Sequence, residues 1–399
     1  MFRGTLFAQV IAIIGAIFVA KIYGEEAYGI FGVFVSIISI VSVISTLQLD
    51  KCIVISKDDT ESTNWFNFLL VLIPILTFII SALLFAFSIY FFQEALNLNL
   101  IFLSLIGALL LSFNLVNENL LTFKKKFSIL SNSKIFLTIS NISFQFLLYY
   151  YFNVFGLILG FLISQFLVLL FYFFKNRNVI SKSNLKEIKK GIKKRNTIVK
   201  YLLPSSVTNA IANNLMPILI LTFFGAEEAG VYFFSLKILG TPLFLISSSV
   251  SNVFFQKSSE LLNENKIDLL KLTKKIVSIN LILMLAFLIL INTVGMTVLE
   301  SIFNHKWNNL RSYSLILSIL ILGRSTFNPI SSLVVVLNKN LESLIFNIYL
   351  FIVNLIAIYF GYLYNDITVT ILILAIFGGV GYILLLAYFL NHLKTIVKK

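Results

Sequence analysis

Gly24-Glu25-Glu26-Ala27-Tyr28-Gly29-Ile30-Phe31 follows the first long apolar run of the chain, and Gly225-Ala226-Glu227-Glu228-Ala229-Gly230-Val231-Tyr232 follows another. An ungapped offset of 201 pairs Gly24 with Gly225, Glu26 with Glu227, Gly29 with Gly230, Ile30 with Val231 and Phe31 with Tyr232. The chemistry suits a tight turn between two helices. The first glycine can take positive φ and close one helix, and the acidic residues then meet the favourable N-terminal dipole of the next. The second glycine lets helices approach closely. The same signature at equivalent points of two series of apolar segments reads as a duplicated helical bundle.

Working outward, 59% of the 399 residues are hydrophobic and 12% are charged, against roughly a quarter charged in a soluble domain. A bilayer is therefore the expected solvent. About 20 apolar residues cross a ~30 Å hydrocarbon core, and such segments recur at roughly 4–23, 28–49, 66–92, 98–123, 131–152, 154–174, 199–223, 229–255, 276–298, 312–337, 341–364 and 367–390. No ten-residue alternation of the membrane-barrel kind is present. The first run, Leu6 to Ala20, is followed by Lys21-Ile22-Tyr23 rather than a small-residue cleavage site, so it reads as a retained helix.

Basic residues fix the expected orientation. With the N-terminus inside, 26 of the 31 Lys and Arg fall on the cytoplasmic side, and only Lys21, Lys306 and Arg311 fall outside. Lys237 and Arg324 lie within spans. The longest polar stretch, Lys175 to Lys200, reads as a basic cytoplasmic linker able to rest on anionic headgroups. It lacks interleaved aromatic platforms, so nucleic acid is not an expected partner. The expectation is thus an all-α integral membrane protein. About 12 transmembrane helices would form two pseudo-symmetric six-helix lobes around a central cavity, with lobes at 1–174 and 199–399, a linker at 175–198, and both termini cytoplasmic. An even helix number gives both halves one orientation, related by an axis along the membrane normal. The single Cys52 excludes an internal disulfide, and His305 and His392 assemble no metal or hydrolytic constellation. No metal and no cofactor are expected.

Ala20-Lys21-Ile22-Tyr23 running into Gly24 through Phe31 resembles the helix 1 to helix 2 signature of polysaccharide-export flippases. These belong to the multidrug/oligosaccharidyl-lipid/polysaccharide exporter superfamily. Leu49-Asp50-Lys51-Cys52-Ile53-Val54 resembles their next segment, and Leu203-Pro204-Ser205-Ser206 with Gly225 through Lys237 resembles the matching block of the second half. The resemblance implies a non-enzymatic flippase of the bacterial inner membrane. It would carry undecaprenyl-pyrophosphate-linked oligosaccharide units, such as O-antigen, lipopolysaccharide or capsule repeats, to the outer leaflet. Its partners would be membrane lipids, the lipid-linked glycan, and a polymerase and other glycan-assembly proteins. Many relatives carry an acidic residue in helix 7 near Asn213-Asn214-Leu215-Met216. Its absence here argues against ion coupling through this helix.

Such a cargo needs cations and amides facing a wet interior, and ionisable groups at membrane depth are functional candidates by default. Arg324, before Asn328-Pro329, can hold a pyrophosphate bidentately, or pair structurally with Glu118. Lys237 is a second anion candidate or a snorkelling lysine, and Arg3 is a headgroup receiver or an ordinary positive-inside residue. Asn209, Asn213, Asn214 and Gln145 are candidates to line a sugar path, or to form interhelical hydrogen bonds. Glu118 and Asp50 are candidates for ion coupling, or interfacial acids, Glu118 then neutralised by Lys124 to Lys126. Two other functions fit a membrane protein of this kind. A multidrug or cation antiporter usually places several carboxylates inside its lobes. A membrane polysaccharide polymerase or glycosyltransferase tends to carry a large outer loop, whereas Leu299 to Arg311 is short.

Overall fold

The computed structural model describes residues 2–91, 98–176, 203–304 and 306–398, with Val179, Ile188 and Gly191 between them. Among the described residues there is helix and turn but no strand. The chain packs as two compact units, Met1–Gly230 and Val231–Lys399.

The first unit holds α1 (Phe2–Thr46), α2 (Asp50–Val54), α3 (Asp59–Phe91), α4 (Leu98–Phe123), α5 (Phe127–Phe152), α6 (Val154–Asn176), α7 (Leu203–Phe224) and the first turn of α8 (Ala226–Glu264). The division falls beyond the basic linker because α7 packs along α1. Most of the linker, including its lysine pairs, lies outside the described residues. The second unit holds the rest of α8 and α9 (Lys266–Leu290), which a π-helical turn at Ile291–Gly295 carries into α10 (Met296–Ile302). Then come α11 (Leu310–Phe327), a 3₁₀ turn at Asn328–Ile330, α12 (Leu333–Val336), α13 (Asn340–Tyr364) and α14 (Ile367–Lys398).

Ten helical stretches among the described residues are long and apolar enough to cross a membrane. The first contains two spans, because Gly24 breaks α1 with φ 80° and ψ −179°. With α8, 39 residues long, the set matches the twelve apolar segments. The duplicated signature folds as its chemistry predicts. Gly225, the counterpart of Gly24, also has positive φ, 94°, and separates α7 from α8. Within the first unit the two signatures meet backbone to backbone: a Cβ on Gly29 would fall on the Ala226 carbonyl, and one on Gly230 on the Glu25 carbonyl. Ala226 is the counterpart of Glu25 at the same 201 offset, so the crossing is two-fold symmetric.

Turns elsewhere use residues that tolerate the left-handed region. Asn153, Asn304, Asn309, Asn338 and Asn365 all have positive φ. Leu47 and Gln48 also do, between the end of α1 and α2. Large apolar side chains such as Phe78, Ile282 and Leu384 are exposed, while Ser45, Thr77, Asn114, Gln165 and Asn280 are buried. That inversion belongs to a protein whose solvent is hydrocarbon, where interhelical hydrogen bonds and close packing replace a hydrophobic drive. Thr77 Oγ1 accordingly donates to Ser45 Oγ at 2.9 Å between α3 and α1.

Candidate functional site

In the second unit, Arg324 owes its position to the proline behind it. Pro329 has no N–H, so the carbonyl of Ser325, four residues earlier, loses its helical donor. Asn280 Nδ2 of α9 donates to that oxygen at 2.7 Å, and Ser247 Oγ of α8 at 3.4 Å. Three helices are thereby tied at the residue beside Arg324. On its other side, Gly323 lies against α14: a Cβ there would come within 2.7 Å of the Gly379 carbonyl oxygen. The expected single helix over 312–337 is therefore broken at Asn328–Ile330, and the break is stitched into the bundle rather than left open.

Half-buried Arg324 lines a cavity of about 250 Å³ with Leu236, Gly240, Thr241, Leu243, Ile321, Ser325 and Asn328. Among the described residues no carboxylate lies within ion-pair distance of it. Tyr232 and Tyr382, both buried, lie close enough to interact electrostatically with it. A guanidinium at this depth costs several kcal/mol unless water or an anion compensates it. The five guanidinium donors, the Thr241 hydroxyl and the Asn328 amide give the cavity the chemistry of an anion site, while the Ser325 hydroxyl is spent on the Ile321 carbonyl. Lys237, half-buried on α8, is not among the lining residues and has contacts of its own.

In the first unit, Glu118 of α4 lines a second cavity of about 150 Å³ with Asn114, Ser133, Lys134, Gln165 and Tyr172. The cation facing Glu118 is Lys134 of α5, rather than Lys124 to Lys126, and among the described residues the two do not close to an ion pair. Tyr172 Oη and Ser133 Oγ share a hydrogen bond of 2.6 Å, and Asn114 Nδ2 donates to Gln165 Oε1 at 2.7 Å. The Asn114 side-chain oxygen, buried beside them, has no partner. Asp50 opens α2 and is fully buried. Its Oδ2 accepts from Asn119 Nδ2 at 2.8 Å and faces Lys51 Nζ at 3.5 Å, while Oδ1 has no partner.

The remaining candidates are spread over the first unit. Asn213 Nδ2 and Asn214 Nδ2 donate to the Asn209 and Ala210 carbonyls of their own helix, each at 2.8 Å, and Asn209 is exposed. Gln145 is held between helices: its carbonyl accepts from Tyr23 Oη at 2.6 Å and its Nε2 donates to the Leu157 carbonyl at 3.3 Å. Arg3 lies in the first turn of α1, and its side chain is outside the described residues, as is His305. Sequence reasoning passed over Asn280, Lys134 and Gln165. Asn280, a lone amide in an apolar run, was the findable one; Lys134 had been counted only as a cytoplasmic charge. Among the described residues no three His, Cys, Asp or Glu gather as metal ligands.

The fold has solved counterparts. An inward-facing multidrug resistance MATE family transporter of the MOP superfamily is 17% identical, with a TM-score of 0.74 over 100% of this chain and 96% of that one. An outward-facing MATE family transporter is 18% identical, with a TM-score of 0.59 over 100% and 97%. A MOP superfamily transporter from Pyrococcus furiosus Vc1, described by the reverse polarity of its binding pocket, is 16% identical, with a TM-score of 0.59 over 100% and 97%. No curated protein matches the chain in sequence. The family model of a polysaccharide biosynthesis protein matches residues 18–312, well over half the chain. On that match the chain belongs to the polysaccharide biosynthesis protein family, and its apolar helices make it a multi-pass membrane protein with the fold of those transporters.

Proposed function

We propose that the protein is a flippase carrying undecaprenyl-pyrophosphate-linked oligosaccharide units from the cytoplasmic to the outer leaflet of the bacterial inner membrane. The route is alternating access, with both termini cytoplasmic, in the service of O-antigen, capsule or exopolysaccharide assembly. The observation that carries the reading is Arg324, a half-buried guanidinium with no carboxylate in ion-pair range among the described residues, lining a cavity with hydroxyl and amide neighbours. A cationic cargo is repelled by such a group and a neutral one gains only hydrogen bonds, whereas a pyrophosphate is held by it bidentately with opposite charge. Membership of a polysaccharide biosynthesis family supports the glycan portion of the cargo. In this scheme Lys237, Arg3 and the amides of α7 contact the cargo during passage.

Glu118 sharing a small cavity with Lys134, and Asp50 with one unpartnered buried oxygen, support coupling to a proton or alkali ion. The same two carboxylates favour the second reading, a cation-coupled multidrug antiporter. One reconstitution separates the two. Proteoliposomes holding the purified protein and a polyprenyl-pyrophosphate oligosaccharide should expose the glycan to an external lectin faster than empty liposomes. Exposure at the rate of empty liposomes, with cation-driven movement of a lipophilic dye instead, would replace the first reading by the second.

A further inference from the structure

Gly240 of α8 has no local reason to be glycine. Each other glycine whose surroundings are described either takes positive φ or would bring a Cβ within 2.9 Å of a neighbouring atom. A Cβ on Gly240 would meet only Ile321 Cδ1, at 3.8 Å, an ordinary contact distance, and its φ is not positive. A bend in α8 does not require it either, because Pro242 lies inside the helix two residues on. Glycine in a helix interior is disfavoured against alanine, so the missing methyl is a cost that packing does not explain.

The space it leaves belongs to the Arg324 cavity. Leu236, Gly240 and Leu243, at helical spacing, present one face of α8 to it, and Ile321, Arg324 and Asn328 present one face of α11. Polar groups stand on both walls: Arg324 and Asn328 on α11, and Thr241 beside Gly240 on α8. At about 250 Å³ the cavity is smaller than the ~300–1,000 Å³ pockets that enclose drug-sized ligands, so it suits a small anionic head rather than a sugar unit. One phosphate held by the Arg324 fork engages the α11 wall. A second phosphate bonded to the first reaches the α8 wall over the bare backbone at Gly240, where the Thr241 hydroxyl can donate to it.

We infer that Gly240 is a specificity-determining position: its missing side chain makes room for a second phosphate between Arg324 and Thr241, so the site selects a diphosphate over a monophosphate. The inference rests on the flippase reading of the Arg324 cavity and adds to it what the cavity discriminates. A side chain at 240 would occupy the room of the second phosphate while leaving the guanidinium free to hold the first.

The test is equilibrium binding of polyprenyl pyrophosphate and of polyprenyl monophosphate to the purified full chain and to its Gly240→Ala, Gly240→Val and Gly240→Leu variants. The parent should hold the diphosphate at least about tenfold more tightly, the worth of one hydrogen bond to a charged group. Diphosphate affinity should fall stepwise with side-chain volume until it meets monophosphate affinity, which should stay unchanged through valine. Thr241→Val, which keeps the shape and removes the hydroxyl, should lower diphosphate affinity alone, and it serves where the larger Gly240 variants do not fold. Equal affinity of the parent for the two lipids, or an undiminished diphosphate preference in both Gly240→Val and Thr241→Val, overturns the inference; if Arg324→Ala still loses the diphosphate, the flippase reading stands without it. A loss already complete at alanine, with no further fall at valine, would make Gly240 a hinge and also overturns the inference. A parent that binds neither lipid overturns both readings.

Discussion

Adding one methyl group at Gly29 tests the symmetric crossing. On an open helix surface, Gly→Ala stabilises by about 1 kcal/mol, through helix propensity alone. At Gly29 the new Cβ would land on the Ala226 carbonyl oxygen and within 2.9 Å of both the Ala226 carbonyl carbon and the Gly230 nitrogen. All three are backbone atoms, which cannot swing aside like the tip of a side chain. Relief requires α1 and the start of α8 to separate, and overpacking of this kind costs ~1–3 kcal/mol. Its upper end applies, so Gly29→Ala should destabilise by about 2 kcal/mol after the propensity gain. Gly230→Ala should do the same, and the double variant should cost less than the sum, because one separation accommodates both methyls. Gly24→Ala provides the contrast: nothing lies within 4 Å of its Cβ, yet φ 80° with ψ −179° is glycine territory and costs ~1–3 kcal/mol. The assay is thermal unfolding of the purified protein in detergent. A Gly29→Ala variant as stable as the parent, or more stable, would refute the close crossing.

Two further expectations follow from single contacts. Asn280→Leu leaves the Ser325 carbonyl with only the long Ser247 bond and should destabilise by ~1–3 kcal/mol, while Pro329→Ala in that background, restoring the helical donor, should recover part of the loss; no recovery would show that the proline is not what frees the carbonyl. At the head of α3, Thr60 Oγ1 and the Glu61 N–H donate to Asp58 Oδ1 at 2.6 and 2.7 Å, holding its carboxyl below the usual range. A depressed folded-state pKa means the stabilisation is present above the unfolded value and is lost as pH falls through the folded one. Asp58→Ala should therefore lower stability near neutrality and flatten the acid end of the profile, and an unchanged profile below pH 4 would contradict the cap.

Much of this was legible in residues. Span lengths and the Gly24 and Gly225 turns rest on local rules: hydrocarbon thickness and positive φ. What was not legible was pairing at a distance. Nothing local says that Asn280 of α9 will supply the donor that Pro329 withholds, or that Gln165 will face Asn114 across 51 residues. Lys134 was assigned by the charge rule to the aqueous side, because that rule counts lysines by segment and is blind to the helix face they occupy. Asp50, a candidate for ion coupling or an interfacial acid, is buried at the start of α2 just after the left-handed Leu47 and Gln48, a burial no local rule foretells. Gly29 opposite Gly230 was signalled as a close approach, but not as an approach of the two signatures to each other.

The account stands on Arg324 as a receptor for phosphate. The most direct measurement is equilibrium binding of a polyprenyl pyrophosphate to the purified protein, its Arg324→Lys variant and its Arg324→Ala variant. A hydrogen bond to a charged group contributes ~1.5–3 kcal/mol, so Arg324→Ala should bind at least about tenfold more weakly. Arg324→Lys, which keeps the charge but loses the fork, should fall between. Equal affinity in all three proteins, each folded and monodisperse, would contradict the claim.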